Sequence, residues 1–254
     1  MILVLSGTRD GSEIIKLLRK KGYQVLVTTT TSYGSKLARE AGASETIEGK
    51  LDRDAMFNLL NEREINAVID ATHPFAQEAS KNAIFASKKA GINYLRYERK
   101  NEKLPESNFL HQFDSFEEGA VKSAALGKVI FSTIGSNQLK PFVEAVKKEK
   151  KRIIVKVLPT CEAIYKCSSL GLDPKDIVAM QGAGDVELNK ALLREYNADV
   201  MITKESGATG GEDVKIKAAL SLKIPTVIIT RPKLEYPYVV REYVDVITWL
   251  ENEN

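Results

Sequence analysis

Val68-Ile69-Asp70-Ala71-Thr72-His73-Pro74-Phe75-Ala76 joins an apolar run to a polar loop and then to an alternating segment. The run reads as a buried strand, the loop as a tight turn, and the residues from Phe75 as the start of a helix. Pro74 fits a first helical turn, where its missing N–H would have no partner anyway. His73, one of two histidines in the chain, is therefore expected at the carboxyl end of a strand and the amino end of a helix. Open α/β sheets bind ligands at that edge.

The same alternation extends outward in both directions. Short apolar strands are predicted at 2–5, 24–27, 67–69 and 92–95, with a weaker one at 44–47. Amphipathic segments between them read as helices, the longest over 75–90 and ended by Gly91. Apolar strands separated by helices imply a parallel sheet covered on both faces. Residues 96–107, RYERKNEKLPES, have almost nothing to bury and read as a linker. A second alternating set follows, with strands at 109–113, 128–131, 152–157, 177–180, 199–202 and 225–229 and a terminal helix at 244–250. The expectation is an α/β chain of two doubly wound parallel-sheet domains, 1–98 and 99–254, with a cleft between them. A single continuous sheet is the alternative.

Composition narrows the class. The chain has 254 residues, 43% hydrophobic, with Lys+Arg 37 against Asp+Glu 34 and a formal charge of +3. That balance argues against a nucleic-acid partner, whose cationic residues would cluster. Met1–Gly7 is too short and lacks the basic flank of an export signal, and no apolar run is long enough to span a bilayer. Cys161 and Cys167 form neither a CxxC pair nor a disulfide framework. A cytoplasmic protein with no membrane partner, either a monomer or a homodimer, is expected. His73 and His111 lack metal-ligand spacing, so no metal is expected, and no GxSxG elbow is present.

Several strand-end loops suit anionic ligands. Ser6 to Ser12 follows the first strand and precedes a helix, the context for phosphate binding, although its glycines at 7 and 11 do not match GxGxxG. The hydroxyls of Ser6 and Thr8, with Arg9, are candidates to take a pyrophosphate. A simple turn capped by Asp10 or Ser12 is the competing reading. Thr28 to Ser32 ends the second strand with no acid to select a free ribose, which leans toward NADP. An exposed threonine run is the alternative there. Thr203 to Gly211, TKESGATGG, carries a lysine, a serine and three glycines. Gln181 to Gly184, Ser132 to Ser136 and Thr230 to Pro232 are expected along the same edge.

Together these loops resemble the precorrin-6A reductase family of cobalamin biosynthesis, which includes the cobalt-precorrin-6A reductases. The likeness runs through LVLSGTRDG, VIDATHPFAQEASKNA, GINYLRYER, STIG, VKVLP, MQGAGDVELNKALLREY, DVMITKESGATGG and IPTVIITRP, nearly the whole chain. The family start is closer to GGTxEAR; here Ser6 replaces the first glycine, Asp10 the glutamate and Gly11-Ser12 the Ala-Arg pair. The resemblance implies two Rossmann-like domains, an amino-terminal one for the nicotinamide nucleotide and a carboxyl-terminal one contributing to the tetrapyrrole site. It also implies hydride transfer from NADPH, with NADH open, to a double bond of precorrin-6A or its cobalt form. Gly7 and Thr8 then belong to the cofactor loop, with Arg9, Thr28, Thr29, Ser206 and Gly207 as further cofactor contacts. His73 and Lys204 become catalytic candidates. Arg96, Gln181, Gly182 and Arg231 become contacts of an anionic tetrapyrrole. Another dinucleotide-dependent enzyme, or a non-enzymatic sensor on the same fold, is the alternative.

Overall fold

The computed structural model describes residues 1–100, 103–207 and 211–252. Residues 101–102 of the predicted linker and 208–210 of the TKESGATGG loop lie outside the described residues.

The first hundred residues alternate strictly. They run β1 (Ile2–Leu5), α1 (Arg9–Lys20), β2 (Val25–Thr29), α2 (Ser32–Glu40), β3 (Glu45–Glu48), α3 (Arg53–Glu62), β4 (Ala67–Asp70), α4 (Gln77–Ala90) and β5 (Asn93–Tyr97). The next stretch repeats the plan with β6 (Leu110–Phe113), α5 (Phe116–Leu126), β7 (Val129–Ser132), α6 (Lys140–Lys148), β8 (Arg152–Val157), α7 (Cys161–Ser169), β9 (Ile177–Ala179), α8 (Val186–Glu195), β10 (Val200–Lys204), α9 (Glu212–Ser221) and β11 (Thr226–Ile229). The chain closes with β12 (Val239–Val240) and α10 (Tyr243–Asn252).

Two six-stranded sheets result, ordered β12-β5-β4-β1-β2-β3 and β6-β11-β10-β7-β8-β9. Every pairing among the described strands is parallel. Each sheet follows the 3-2-1-4-5-6 order of doubly wound folds, but the sixth places are exchanged. β6 follows β5 in sequence yet joins the second sheet beside β11, and β12 follows β11 yet joins the first beside β5.

That exchange corrects the expected boundary. The first unit is Met1–Lys100 with Pro232–Asn254, and the second is Asn101–Arg231. The physical reason is the open edge of β5, whose backbone groups need partners. Arg96 N–H donates to Tyr238 O and Glu98 N–H to Val240 O, both at 2.9 Å. Val246, Ile247 and Leu250 of α10 then bury against Ile14, Ile15 and Leu18 of α1. At about 1.5–3 kcal/mol per aliphatic side chain buried, this packing binds the chain end to the first unit.

Strands β1, β2 and β4 are buried along their whole length, because helices cover both faces of the sheet. Helix starts follow side-chain capping. Thr8, Thr31, Asp52, Ser115, Thr160 and Asp185 each accept a bond from a first-turn N–H. Thr8, rather than Asp10 or Ser12, is therefore the cap of α1. Helix α4 begins two residues later than its pattern predicts, because Pro74–Ala76 forms a turn in which Ala76 N–H reaches His73 O at 2.8 Å.

Asp70, the last residue of β4, is fully buried. Arg96 Nη1 lies 2.8 Å from its Oδ1, which also accepts from the Thr72 hydroxyl at 2.6 Å and Thr72 N–H at 2.9 Å. Ser80 and Tyr94 donate to Oδ2 at 2.5 and 2.6 Å. Burial pushes the carboxyl upward, but Arg96 and the three hydroxyl donors outweigh it and hold Asp70 below the usual carboxylate range. Breaking such a pair leaves a buried cation without its counter-charge. Asp70→Asn is expected to lower the unfolding free energy by about 3–5 kcal/mol in urea titrations. A loss below about 1 kcal/mol would show that Arg96 finds another partner.

Candidate active site

In the first unit, three strand ends supply the polar loops. Gly7 lies between β1 and α1 at φ +143, with no atom within 4 Å of where a side chain would begin. It is exposed, as is Arg9. Thr8 Oγ1 accepts from Gly11 N–H at 3.1 Å and donates to Ala71 O at 3.0 Å, so one side chain ties this loop to the one after β4. A side chain on Gly11 would begin 2.2 Å from Ser6 Oγ, so glycine there leaves room for the Ser6 hydroxyl as it stands. The result is an open backbone cradle at the amino end of a twelve-residue helix, which fits a pyrophosphate. Gly7 and Arg9 reach the surface at their strand end.

Thr28 and Thr29 do not. Both are buried, and Thr29 Oγ1 bonds Ser35 Oγ at 2.8 Å and Thr31 O at 3.2 Å. The hydroxyls that reach the surface at this strand end are those of Thr30, Thr31 and Ser32. The final strand residues must fill the sheet, and only the turn beyond them is open.

His73 is half-buried beside Thr72. Its Nδ1 accepts from Phe75 N–H at 3.2 Å, and its ring tilts against the Phe75 ring at 5.7 Å. With the Nδ1 lone pair engaged, the ring proton sits on Nε2, and the imidazole is set up as a hydrogen-bond donor. Arg96, expected to meet substrate carboxylates, is instead 1% exposed. Beyond Asp70, its guanidinium donates to Thr72 Oγ1 and Thr72 O at 3.0 and 3.1 Å and lies 5.2 Å from the Tyr236 ring centre. Its charge is neutralised inside the fold, so it shapes the His73 loop from below and offers nothing to a ligand.

In the second unit, Lys204 ends β10. Burial, then the neighbouring charge of Lys215, bring its pKa down to about 8. Lys215, on α9, is brought to about 8 by burial and by Lys156. Lys156 itself is lowered by burial, and its Nζ donates to Ala183 O at 2.9 Å. Asn189 Nδ2 reaches the same carbonyl at 2.9 Å, so the loop holding Gln181 and Gly182 is tied down while those two residues stay exposed. A side chain on Gly211 would begin 2.0 Å from Ala183 Cβ, which packs these loops against each other.

Ser206 and Gly207 are buried. Gly207 N–H donates to Glu212 Oε2 at 2.8 Å, so the amide expected to meet the cofactor is already committed. Burial raises the Glu212 pKa against that bond. Arg231 is half-buried, with its N–H and Nε bonded to Glu205 Oε2 and Glu205 O at 2.7 and 3.1 Å.

Sequence reasoning missed Lys156, Lys215 and Glu212. The signal was present for α9, where Lys215 falls on the same helical stripe as Glu212, Ala218 and Ala219. It also missed the carboxyl-terminal residues Tyr236 and Tyr243, because β12 is two residues long and follows Pro232 and Pro237.

Comparison with known proteins accords with this geometry. The family described as precorrin-6x reductase CbiJ/CobK matches residues 1–251. A cobalt-precorrin-6A reductase of Priestia megaterium is 37% identical over 254 residues, covering 100% of this chain and 99% of that one. Another, of Methanocaldococcus jannaschii, is 40% identical over 253 residues, covering 99% and 98%. The solved structure of CobK precorrin-6A reductase superposes with a TM-score of 0.81 at 23% identity, covering 100% of this chain and 97% of that one, and so shares its fold. With a full-length family match and full-length relatives of this similarity, the chain belongs to the precorrin-6x reductase CbiJ/CobK family.

Proposed function

We propose that this chain reduces a carbon–carbon double bond of the cobalt-precorrin-6A macrocycle, giving the dihydro product, with a reduced nicotinamide nucleotide as hydride donor. The observation that carries this reading is the full-length likeness to cobalt-precorrin-6A reductases. The open cradle at Gly7 supports the nucleotide half of it. Gly7, Thr8 and Arg9 would hold the pyrophosphate, and Thr30 to Ser32, with no acid among them, leave room for NADPH as well as NADH. When bound, the nucleotide supplies the hydride.

The chain's own residues must supply the rest. Net reduction requires a proton as well as a hydride. An acid is most effective with a pKa near the working pH. Lys204 at about 8 meets that condition. His73, with its proton on Nε2, is better suited to orient or polarise a ligand group than to deliver a proton from a cation. Arg231, Gln181 and Gly182 are the contacts we assign to the acidic side chains of the macrocycle. The amino-terminal unit then holds the nucleotide and the second unit contributes the tetrapyrrole contacts.

The deciding assay follows oxidation of NADPH and NADH with cobalt-precorrin-6A or precorrin-6A present and absent. Corrinoid-dependent oxidation is expected; binding without oxidation would mark a sensor and sink the reductase reading. In single turnovers, the protonation step is expected to fail as pH rises through about 8, where Lys204 loses its proton. Lys204→Gln should slow that step by roughly a hundredfold and abolish the pH limb. Lys215→Gln, which removes the neighbouring like charge, should move the limb to higher pH; an unmoved limb in both variants excludes Lys204 as the acid. His73→Ala is expected to lower turnover roughly tenfold or more while nucleotide KM stays within about twofold. Unchanged turnover would remove His73 from catalysis.

A further inference from the structure

Asp10 is the second residue of α1 and is 2% exposed. A carboxylate is favoured in the first turn of a helix, but it opposes any anion arriving at that same terminus. Here it is held from two sides. Arg99 Nη2 lies 2.5 Å from Oδ2, and the Tyr243 hydroxyl donates to Oδ1 at 2.8 Å. Arg99 is buried just beyond β5. Tyr243 opens α10, and its ring stacks on Tyr97 with centroids 5.0 Å apart and planes 15° from parallel.

Three distant segments therefore meet at one carboxylate: the first turn of α1, the end of β5, and the helix that returns from the far end of the chain. The same turn contains Gly11, whose N–H is taken by Thr8 Oγ1 and whose lack of a side chain admits Ser6. Movement of Asp10 would thus move both sides of the loop.

We propose that Arg99 and Tyr243 are positioning residues that act through Asp10. They fix the first turn of α1 so that the loop Gly7 to Arg9 meets a diphosphate already in its binding geometry. Arg99 also cancels the charge that Asp10 would set against that diphosphate. The proposal rests on reading this loop as the nucleotide site, and it adds that nucleotide affinity is controlled by the carboxyl-terminal helix. Ordering the loop beforehand lowers the entropy lost on binding, so the effect belongs to affinity rather than to the chemical step.

The test uses the full chain carrying Tyr243→Phe, which keeps the ring and removes the hydroxyl. Losing one hydrogen bond to a carboxylate should raise KM for the reduced nicotinamide nucleotide about three- to tenfold, with kcat within about twofold. Amide hydrogen exchange at residues 7–11 of the nucleotide-free protein should be faster. Val244→Ala, an exposed position on the same helix, is the control and should match wild type in both measurements. Unchanged KM and exchange in Tyr243→Phe, or equal changes in Val244→Ala, would overturn the proposal. A wild-type protein that binds neither nucleotide in fluorescence titrations would overturn the cofactor reading instead, and the exchange rates alone would then judge the clamp.

Discussion

The first unit depends on a charge pair that never meets water. Asp70 and Arg96 are both almost wholly buried at neighbouring strand ends, registered directly opposite each other across β4 and β5. Removing two such charges from water costs several kcal/mol each, and attraction alone does not return it. What makes the arrangement tenable is the number of partners: donors from Thr72, Ser80 and Tyr94 complete the carboxylate, while Thr72 and the Tyr236 ring flank the guanidinium, whose Nε alone is left without a hydrogen bond. Those partners come from β4, its loop, α4, β5 and the returning chain end. One ion pair therefore fixes the position of the His73 loop relative to the sheet.

Tyr236 links that pair to the exchanged sixth strands. The first sheet is completed by residues synthesised after the whole second unit, so its outer edge and the backing of the loop Gly7 to Arg9 wait for the end of the chain. β12 is too short to contribute much by itself, but it delivers Tyr236 to Arg96 on one side and Tyr243 to Asp10 on the other. Both acids buried among the described residues of the first unit, Asp70 and Asp10, are thus closed by tyrosines from the same returning segment. A chain cut at the charged linker would lack both tyrosines and the covering strand, which is why the linker, so plain in composition, is not the true boundary of the first unit.

The parts legible in the sequence are those governed by local periodicity. Strands such as 2–5 and 152–157 are apolar runs of ordinary length bounded by polar turns, and their positions follow from burial alone. Gly91 ends α4 in the left-handed region, as a glycine after a helix should. The errors arise where a side chain's fate depends on a distant partner. Arg96 looks like a surface cation because nothing near it in sequence announces that Asp70 lies one strand away. Thr28 and Thr29 look available because a threonine run does not reveal where the strand stops and the turn begins. Lys215 shares a helical stripe with Ala218 and Ala219, but the cost of burying its charge becomes visible only once α9 is laid on the sheet.

Both units pair a buried acid with an arginine, Asp176 with Arg152 in the second, but only the second also gathers buried lysines among the described residues, and that difference bears on what each can bind. The first neutralises its buried acids with arginines, Asp70 with Arg96 and Asp10 with Arg99. The second gathers Lys156, Lys204 and Lys215 with Glu212 among them; burial lowers the affinity of all three lysines for protons, and repulsion from Lys215 adds to it at Lys204 and from Lys156 at Lys215. An anion placed beside them would reverse the shift, since an opposite charge favours the protonated form. Protonation and anion binding are then linked: a carboxylate that enters this cluster draws protons onto lysines poised at about 8. An acidic ligand would in this way raise the proton occupancy of the cluster, so holding these lysines partly desolvated couples ligand charge to protonation.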